Sequence, residues 1–169
     1  SKIRPVLKSA KCQIVDYTKI QEKIKLRFPG LHNIENAKAA FATAEILSIP
    51  EEKIIASLEN YQGTWRRFEF KGTSKTGALV YDDYAHHPTE IKTTLKSFKE
   101  KFPRHRLIVV FQPHLFSRTK LLLNEFAKSF NDADKVILAP IYKAREEDDG
   151  SISSEVLAEK IKQKSKRVL

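Results

Sequence analysis

Leu107 to Phe111 reads LIVVF, an unbroken apolar run of the kind expected for a strand buried on both faces of a parallel sheet. Val136 to Ile141 (VILAPI) repeats the pattern, with Pro140 placing its end on an edge or just past the ladder. Helical patterns separate these runs. Ile91, Leu95 and Phe98 point inward after a strand at Ala78 to Tyr81, and Leu123, Phe126, Ala127 and Phe130 form the inward face of a helix that Ser117 can cap. A last helix spans about 154–163, and Arg167-Val168-Leu169 reads as a strand cut short. This alternation predicts a doubly wound, mostly parallel, Rossmann-like α/β domain with right-handed crossovers.

The region before it has a different texture. Residues 12–17 (CQIVDY) and 23–28 (KIKLRF) read as strands, the second alternating Ile24, Leu26 and Phe28 with basic residues. Pro29 and Gly30 end it, and an alanine-rich helix follows with Ile34, Ala37, Phe41 and Ala44 on one face. Pro50, Glu51 and Glu52 open a second helix with Ile54, Ile55 and Leu58 inward, which stops near Gly63. Strand, strand, helix, helix is too short and open for a domain of its own. The reading is a partial α/β segment over 1–64 and a second domain over 65–169. From Trp65 the pattern changes: residues 67–71 alternate around Phe68 and Phe70, and Gly72 to Gly77 form a turn.

The net charge of +10 and a pI near 9.6 fit first a solvated lysine-rich surface, and beyond that favour anionic partners: nucleotides, phosphorylated substrates, acidic proteins or nucleic acid. No nucleic-acid-binding module is recognisable, and aromatic residues are not interleaved with the basic ones, so nucleic acid is not expected. No apolar run approaches the roughly 20 residues that span a bilayer. The single cysteine, Cys12, has no partner for an internal disulfide and fits a reducing cytoplasm.

In an open parallel sheet, ligands bind outside the carboxyl ends of the strands. Asp82, Asp83, Tyr84, His86 and His87 follow one strand; Gln112, His114 and Arg118 follow the next; Tyr142 and Arg145 follow the third. Three separate loops thus bring their reactive groups to one edge. Arg66, Arg67 and Arg118 offer planar forks for carboxylate or phosphate, with Ser117 or Thr119 as extra donors at a helix start. A histidine there can donate to an oxyanion or take a proton near neutral pH. Blander roles compete: Asp82 caps its own loop, His87 packs, His105 is plain surface, and Gln112 satisfies a strand end. Adjacent histidines diverge and further ligands at helical spacing are missing, so no metal site is expected in this segment.

Several motifs resemble the Mur ligase family. His32-Asn33-Ile34-Glu35-Asn36-Ala37 is similar to its HN-x-x-NA helix start, and Gly63-Thr64-Trp65-Arg66-Arg67-Phe68-Glu69 to its G-x-x-RRFE linker. Residues 82–90 resemble DDY-G-HHPTE, Phe111 to His114 with Ser117-Arg118-Thr119 resemble FQPH…SRT, and residues 142–146 are a loose copy of Y-x-AGE. Ala85 and Arg145 stand where the family has glycine, and Leu115 where many members carry a second arginine.

The resemblance implies ATP-dependent amide synthesis in cytoplasmic peptidoglycan assembly. ATP would phosphorylate the lactyl carboxylate of UDP-N-acetylmuramate, and L-alanine's amine would attack the acyl phosphate. By motif, Asn33 and Asn36 would contact adenine, Arg67 would lie near the phosphates, and Asp83 near the ribose or hinge. Tyr84, His86 and Arg118 would form the amino-acid pocket, with Arg118 pairing the alanine carboxylate and His86 and Arg118 acting in catalysis. No G-x-x-x-x-G-K-[ST] occurs. The phosphate loop, the Mg2+ ligands and the UDP-sugar domain are therefore expected upstream. The chain would be the end of the central domain (1–64) and most of the C-terminal domain (65–169), inactive alone. The alternatives are a related ligase that attaches a murein tripeptide, and a nucleotide- or anion-binding module without chemistry.

Overall fold

A computed structural model describes residues 11, 12, 14–20, 24–27 and 29–164. The chain divides into two compact units, Ser1–Gln62 and Gly63–Leu169.

In the first unit, Asp16 caps a short 3-10 turn, Tyr17–Lys19, by accepting from the Thr18 amide at 3.1 Å. Helix α1 (Leu31–Ile46) starts at Gly30, whose φ of 110° is open to glycine and strained for other residues. Ala37 and Phe41 are buried and Ile34 and Ala44 half-buried, so the expected face is the inward one. Helix α2 (Glu51–Asn60) carries Glu51 and Glu52 in its first turn, where acids complement the dipole. Its last turn is held by Arg27, which donates to the Glu59 carbonyl at 3.0 Å and to Asn60 Oδ1 at 3.2 Å.

The two expected strands are corrected here. Residues 14–16 and 24–26 form no strand, and Tyr17 enters the 3-10 turn; Gln13, Lys23 and Phe28 lie outside the described residues. Alternation suits a pleat, but a strand exists only through a neighbour's hydrogen bonds. None of the described residues of this unit supplies that neighbour.

The second unit is α/β. Strands β1 (Glu69–Thr73) and β2 (Leu79–Asp82) form an antiparallel hairpin in register Glu69↔Asp82, with a bulge between Phe70 and Gly72. Helix α3 (Pro88–Lys101) follows, then β3 (Ile108–Phe111), which pairs in parallel with β4 (Lys135–Leu138). The crossover between them is two short helices, α4 (Phe116–Leu121) and α5 (Leu123–Ser129), where Ser117 promised one. The break falls at Leu122, and the N-cap of α4 is Leu115, not Ser117. β4 stops at Leu138, so Pro140 lies past the ladder. Helix α6 (Ser154–Lys164) matches the expected last helix, and the strand read at 167–169 lies outside the described residues.

α5 packs against α3 and α6. Ile91, Leu95, Phe111, Phe126, Phe130, Val136, Leu157 and Ile161 make one core beneath β3 and β4. Each such side chain, fully buried, contributes about 1.5–3 kcal/mol of transfer free energy. The expectation that LIVVF is covered on both faces is not met: Ile108 is 51% and Val110 71% exposed, while Phe111 faces the core. β3 behaves as a strand covered on one face. β2 and β3 do not pair with each other. An apolar cleft of about 340 Å³ runs between them, lined in part by Leu79, Tyr81, Phe98, Phe102, Val109 and Val110. Among the described residues no helix is long and apolar enough to cross a membrane.

Candidate functional site

The polar loop between β2 and α3 is shaped by its own carboxylates. Asp83 Oδ2 accepts from the Phe68 amide at 2.8 Å. Its Oδ1 accepts from the Ala85 amide at 2.9 Å and the Thr94 hydroxyl at 3.4 Å. This ties the loop to the turn before β1 and to α3. The turn is strained: Arg66 and Phe68 have φ of 55° and 48°, positions that non-glycine residues hold only when surroundings enforce them. Tyr84's amide helps enforce it by donating to the Arg66 carbonyl at 2.8 Å. Asp82 pairs with Arg66 Nε at 3.0 Å, an ion pair more than a third exposed on both sides.

Tyr84 is 42% exposed, with the Arg66 and Arg67 guanidiniums 5.0 and 5.9 Å from its ring centre. Both lie within cation–π range. His86 stacks at a tilt 4.9 Å from Tyr84. Its Nδ1 lies 2.9 Å from the Tyr84 carbonyl, which only accepts, so Nδ1 carries a hydrogen and, whenever the ring is neutral, Nε2 is the nitrogen with the lone pair. His87 caps α3, accepting from the Thr89 amide at 3.3 Å, while Glu90 accepts from the amides of His86 at 3.0 Å and His87 at 3.2 Å. Burial pushes the Glu90 carboxyl up, but those two amides and the charges of His86 and Arg67 outweigh it and hold the group below its ordinary value. His87, expected to pack, is exposed, and its role is to cap the helix.

The loop after β3 is built differently. Gln112 donates to the Pro140 carbonyl at 3.2 Å and so satisfies a strand end. His114 sits 6.3 Å from the His86 ring and 5.2 Å from Tyr142. Burial lowers its pKa, as do the charges of Arg118 and His86, against a smaller opposing pull from Glu146. That setting favours the neutral form of its imidazole. Among the described residues, two buried side-chain nitrogens lack a hydrogen-bond partner: His114 Nδ1 and Arg118 Nη1. An unpaired buried donor costs about 1–3 kcal/mol, which an arriving acceptor such as a carboxylate would recover.

The expected anion donors of α4 are already engaged. Ser117 donates its amide, at 3.0 Å, and its hydroxyl to Glu146, and Thr119 is buried with its hydroxyl on the Leu115 carbonyl at 2.8 Å. The carboxylate facing that helix start is the protein's own. Amide and hydroxyl bonds from Ser117, with the Phe116 amide and the Arg118 charge, hold Glu146 below its ordinary value.

Tyr84, His86, His114 and Arg118 therefore gather at one edge, with Arg67 against Tyr84. Asn33 and Asn36 lie in the first unit on the opening turns of α1, Asn33 donating to the Pro29 carbonyl at 2.6 Å and Asn36 exposed. The sequence reading put His114 on this edge without assigning it to the pocket, and gave Glu146 no role although it ends the string similar to Y-x-AGE. The QPH string signalled the first; for the second the motif marked the residue, and its partner Ser117 lies too far along the chain to be read locally. Among the described residues no three His, Cys, Asp or Glu side chains converge to hold a metal ion.

A family model described as "Mur ligase, glutamate ligase domain" matches residues 66–169. The chain belongs to the Mur ligase family. A UDP-N-acetylmuramate–L-alanine ligase of Lachnospira eligens is 56% identical to it over 141 residues, 83% of this chain and 30% of that protein. The solved UDP-N-acetylmuramate–alanine ligase of Thermotoga maritima superposes with a TM-score of 0.69 at 32% identity, over 86% of this chain and 30% of that one. A murein peptide ligase of Psychrobacter arcticus superposes with a TM-score of 0.60 at 29% identity, again over 86% and 30%. This Mur ligase chain spans about 30% of the length of such relatives.

Proposed function

We propose that the polypeptide carrying this chain is an ATP-dependent amide-forming ligase that joins L-alanine to UDP-N-acetylmuramate in peptidoglycan synthesis, in the cytoplasm. The observation that carries this reading is the 56% identity to a ligase of that name over 83% of the chain. Residues 1–64 are taken as the end of the ATP-binding domain and 65–169 as the amino-acid-binding domain. The break between compact units after Gln62 and the family match from residue 66 support that division.

In this reading Arg118 receives the alanine carboxylate, since its Nη1 is buried without a partner. His114 lies beside it, and Tyr84 reaches the same edge through its contact with His86. His86, with Nδ1 held by the Tyr84 carbonyl, offers its Nε2 lone pair to the proton that the alanine amine must lose before it attacks the acyl phosphate. Asn33 and Asn36 are assigned to adenine and Arg67 to the phosphate side. Asp83, whose carboxylate already accepts three bonds, suits the hinge better than the ribose. ATP brings the phosphoryl group and Mg2+ would steady its charge. Ligands for the ion are assigned, on the family resemblance, to a part of the polypeptide upstream of these residues. No nucleic-acid or membrane partner is proposed.

The test is phosphate release by the complete gene product with ATP and UDP-N-acetylmuramate, with and without L-alanine. Alanine-dependent release with formation of the amide is expected. Release that needs a murein tripeptide instead would move the assignment to that ligase, and no turnover would favour a binding module.

A further inference from the structure

Arg118 serves an acceptor only if its guanidinium is held where the carboxylate arrives, and the backbone before it is strained. Leu115 has φ of 75°, a region that a branched side chain keeps only when its neighbours over-determine it. A single loop, 142–146, supplies that constraint. The Tyr142 carbonyl accepts from the Leu115 amide at 2.9 Å, and the Tyr142 amide donates to the Pro113 carbonyl at 2.8 Å. Glu146 then takes the Ser117 amide and hydroxyl, so the chain is pinned on both sides of Phe116. Ala144, itself at φ 52°, and a bond from the Glu146 amide to the Lys143 carbonyl at 2.9 Å form the turn that delivers the carboxylate.

We infer that Glu146 is a positioning residue for the amino-acid acceptor: by holding the 115–117 backbone it keeps Arg118 and His114 aimed at the acceptor's carboxylate. This rests on the ligase reading above. Two effects oppose each other. The negative charge of Glu146 repels an incoming carboxylate, whereas its hydrogen bonds fix the group that binds it. The Glu146–Ser117 contact is exposed, so water and salt screen the charge, and the geometric effect dominates.

The experiment measures alanine-dependent phosphate release by the complete gene product at saturating ATP and UDP-N-acetylmuramate. Glu146→Ala should raise KM for alanine about tenfold, with kcat and KM for ATP within about threefold. Glu146→Gln should stay within about threefold of wild type in all three, because its amide oxygen still accepts from Ser117. Ser117→Ala should fall between them. An unchanged or lower KM in Glu146→Ala overturns the inference. Equal defects in the Ala and Gln variants would mean charge rather than position, and parallel loss in every parameter with a lower Tm would mean structure alone; either overturns it. If wild type shows no alanine-dependent release, the ligase reading falls and this inference with it. Wild-type turnover with an unmoved KM in Glu146→Ala sinks the inference alone.

Discussion

In the loop after β2, Asp83 and Glu90 accept hydrogen bonds from the amides of Phe68, Ala85, His86 and His87. In the loop after β3, His114 Nδ1 and Arg118 Nη1 are buried with no partner. Both loops leave the carboxyl end of a strand and both are rich in ionisable groups. The first has closed its polar accounts internally, and the second has not. A satisfied acceptor holds a shape; an unsatisfied buried donor marks where a group from outside is to be received. Reactive residue types alone do not separate these cases. The partner of each polar atom does.

The largest expected effect comes from removing the open donor. In the complete gene product, Arg118→Ala should raise KM for alanine by roughly 10- to 150-fold, the equivalent of about 1.5–3 kcal/mol for a charge-assisted hydrogen bond, with KM for ATP little changed. Arg118→Lys should recover only part, because an ammonium cannot make the bidentate contact. Equal alanine KM values in wild type and Arg118→Ala would break the contrast between the loops at its open end.

The closed loop should answer in stability instead. Asp83→Ala strands the Phe68 and Ala85 amides, and because the site is half-buried the cost should be about 2 kcal/mol, measured as a shift in the urea midpoint. Asp82→Ala, its sequence neighbour, should cost no more than about 0.5 kcal/mol, since the Arg66 pair is 37% and 36% exposed. Equal costs would mean that Asp83's bonds do not organise the loop. Asp83→Asn sharpens the point. If it leaves stability intact but raises KM for ATP, the ribose contact regains its place over the hinge.

Local pattern was enough for much of this fold. The faces with Ile91 and Leu95, and with Phe126 and Phe130, are the ones buried. Two things were out of reach for a local reading. Residues 24–26 alternate like a strand, yet whether they pair depends on a neighbour that their own sequence does not encode. Ser117 looked like a cap with a free hydroxyl, but its acceptor, Glu146, is 29 positions away and arrives only once β4 pairs with β3. The unpaired nitrogens of His114 and Arg118 belong to the same class, because burial without a partner is a property of packing.

Glu90 gives the smallest effect and the finest test of the closed loop. Its carboxyl titrates below its ordinary value in the fold. As pH falls, the unfolded chain therefore binds this proton first, near its reference value of about 4.3, and the fold binds it later. The stabilisation from Glu90 is complete above that reference value and disappears as pH drops through the depressed one. Glu90→Gln should lower stability by about 0.5–1 kcal/mol at pH 7, as loss of a charged partner in a capping box does. The gap between wild type and mutant should narrow as pH falls through the depressed titration of the folded carboxyl, where the wild-type group becomes neutral too. A gap that persists once the wild-type carboxyl is protonated in the fold would assign the effect to the shape of the side chain rather than its charge. The loop would then be held by fit, and the amides of His86 and His87 would matter less than their geometry suggests.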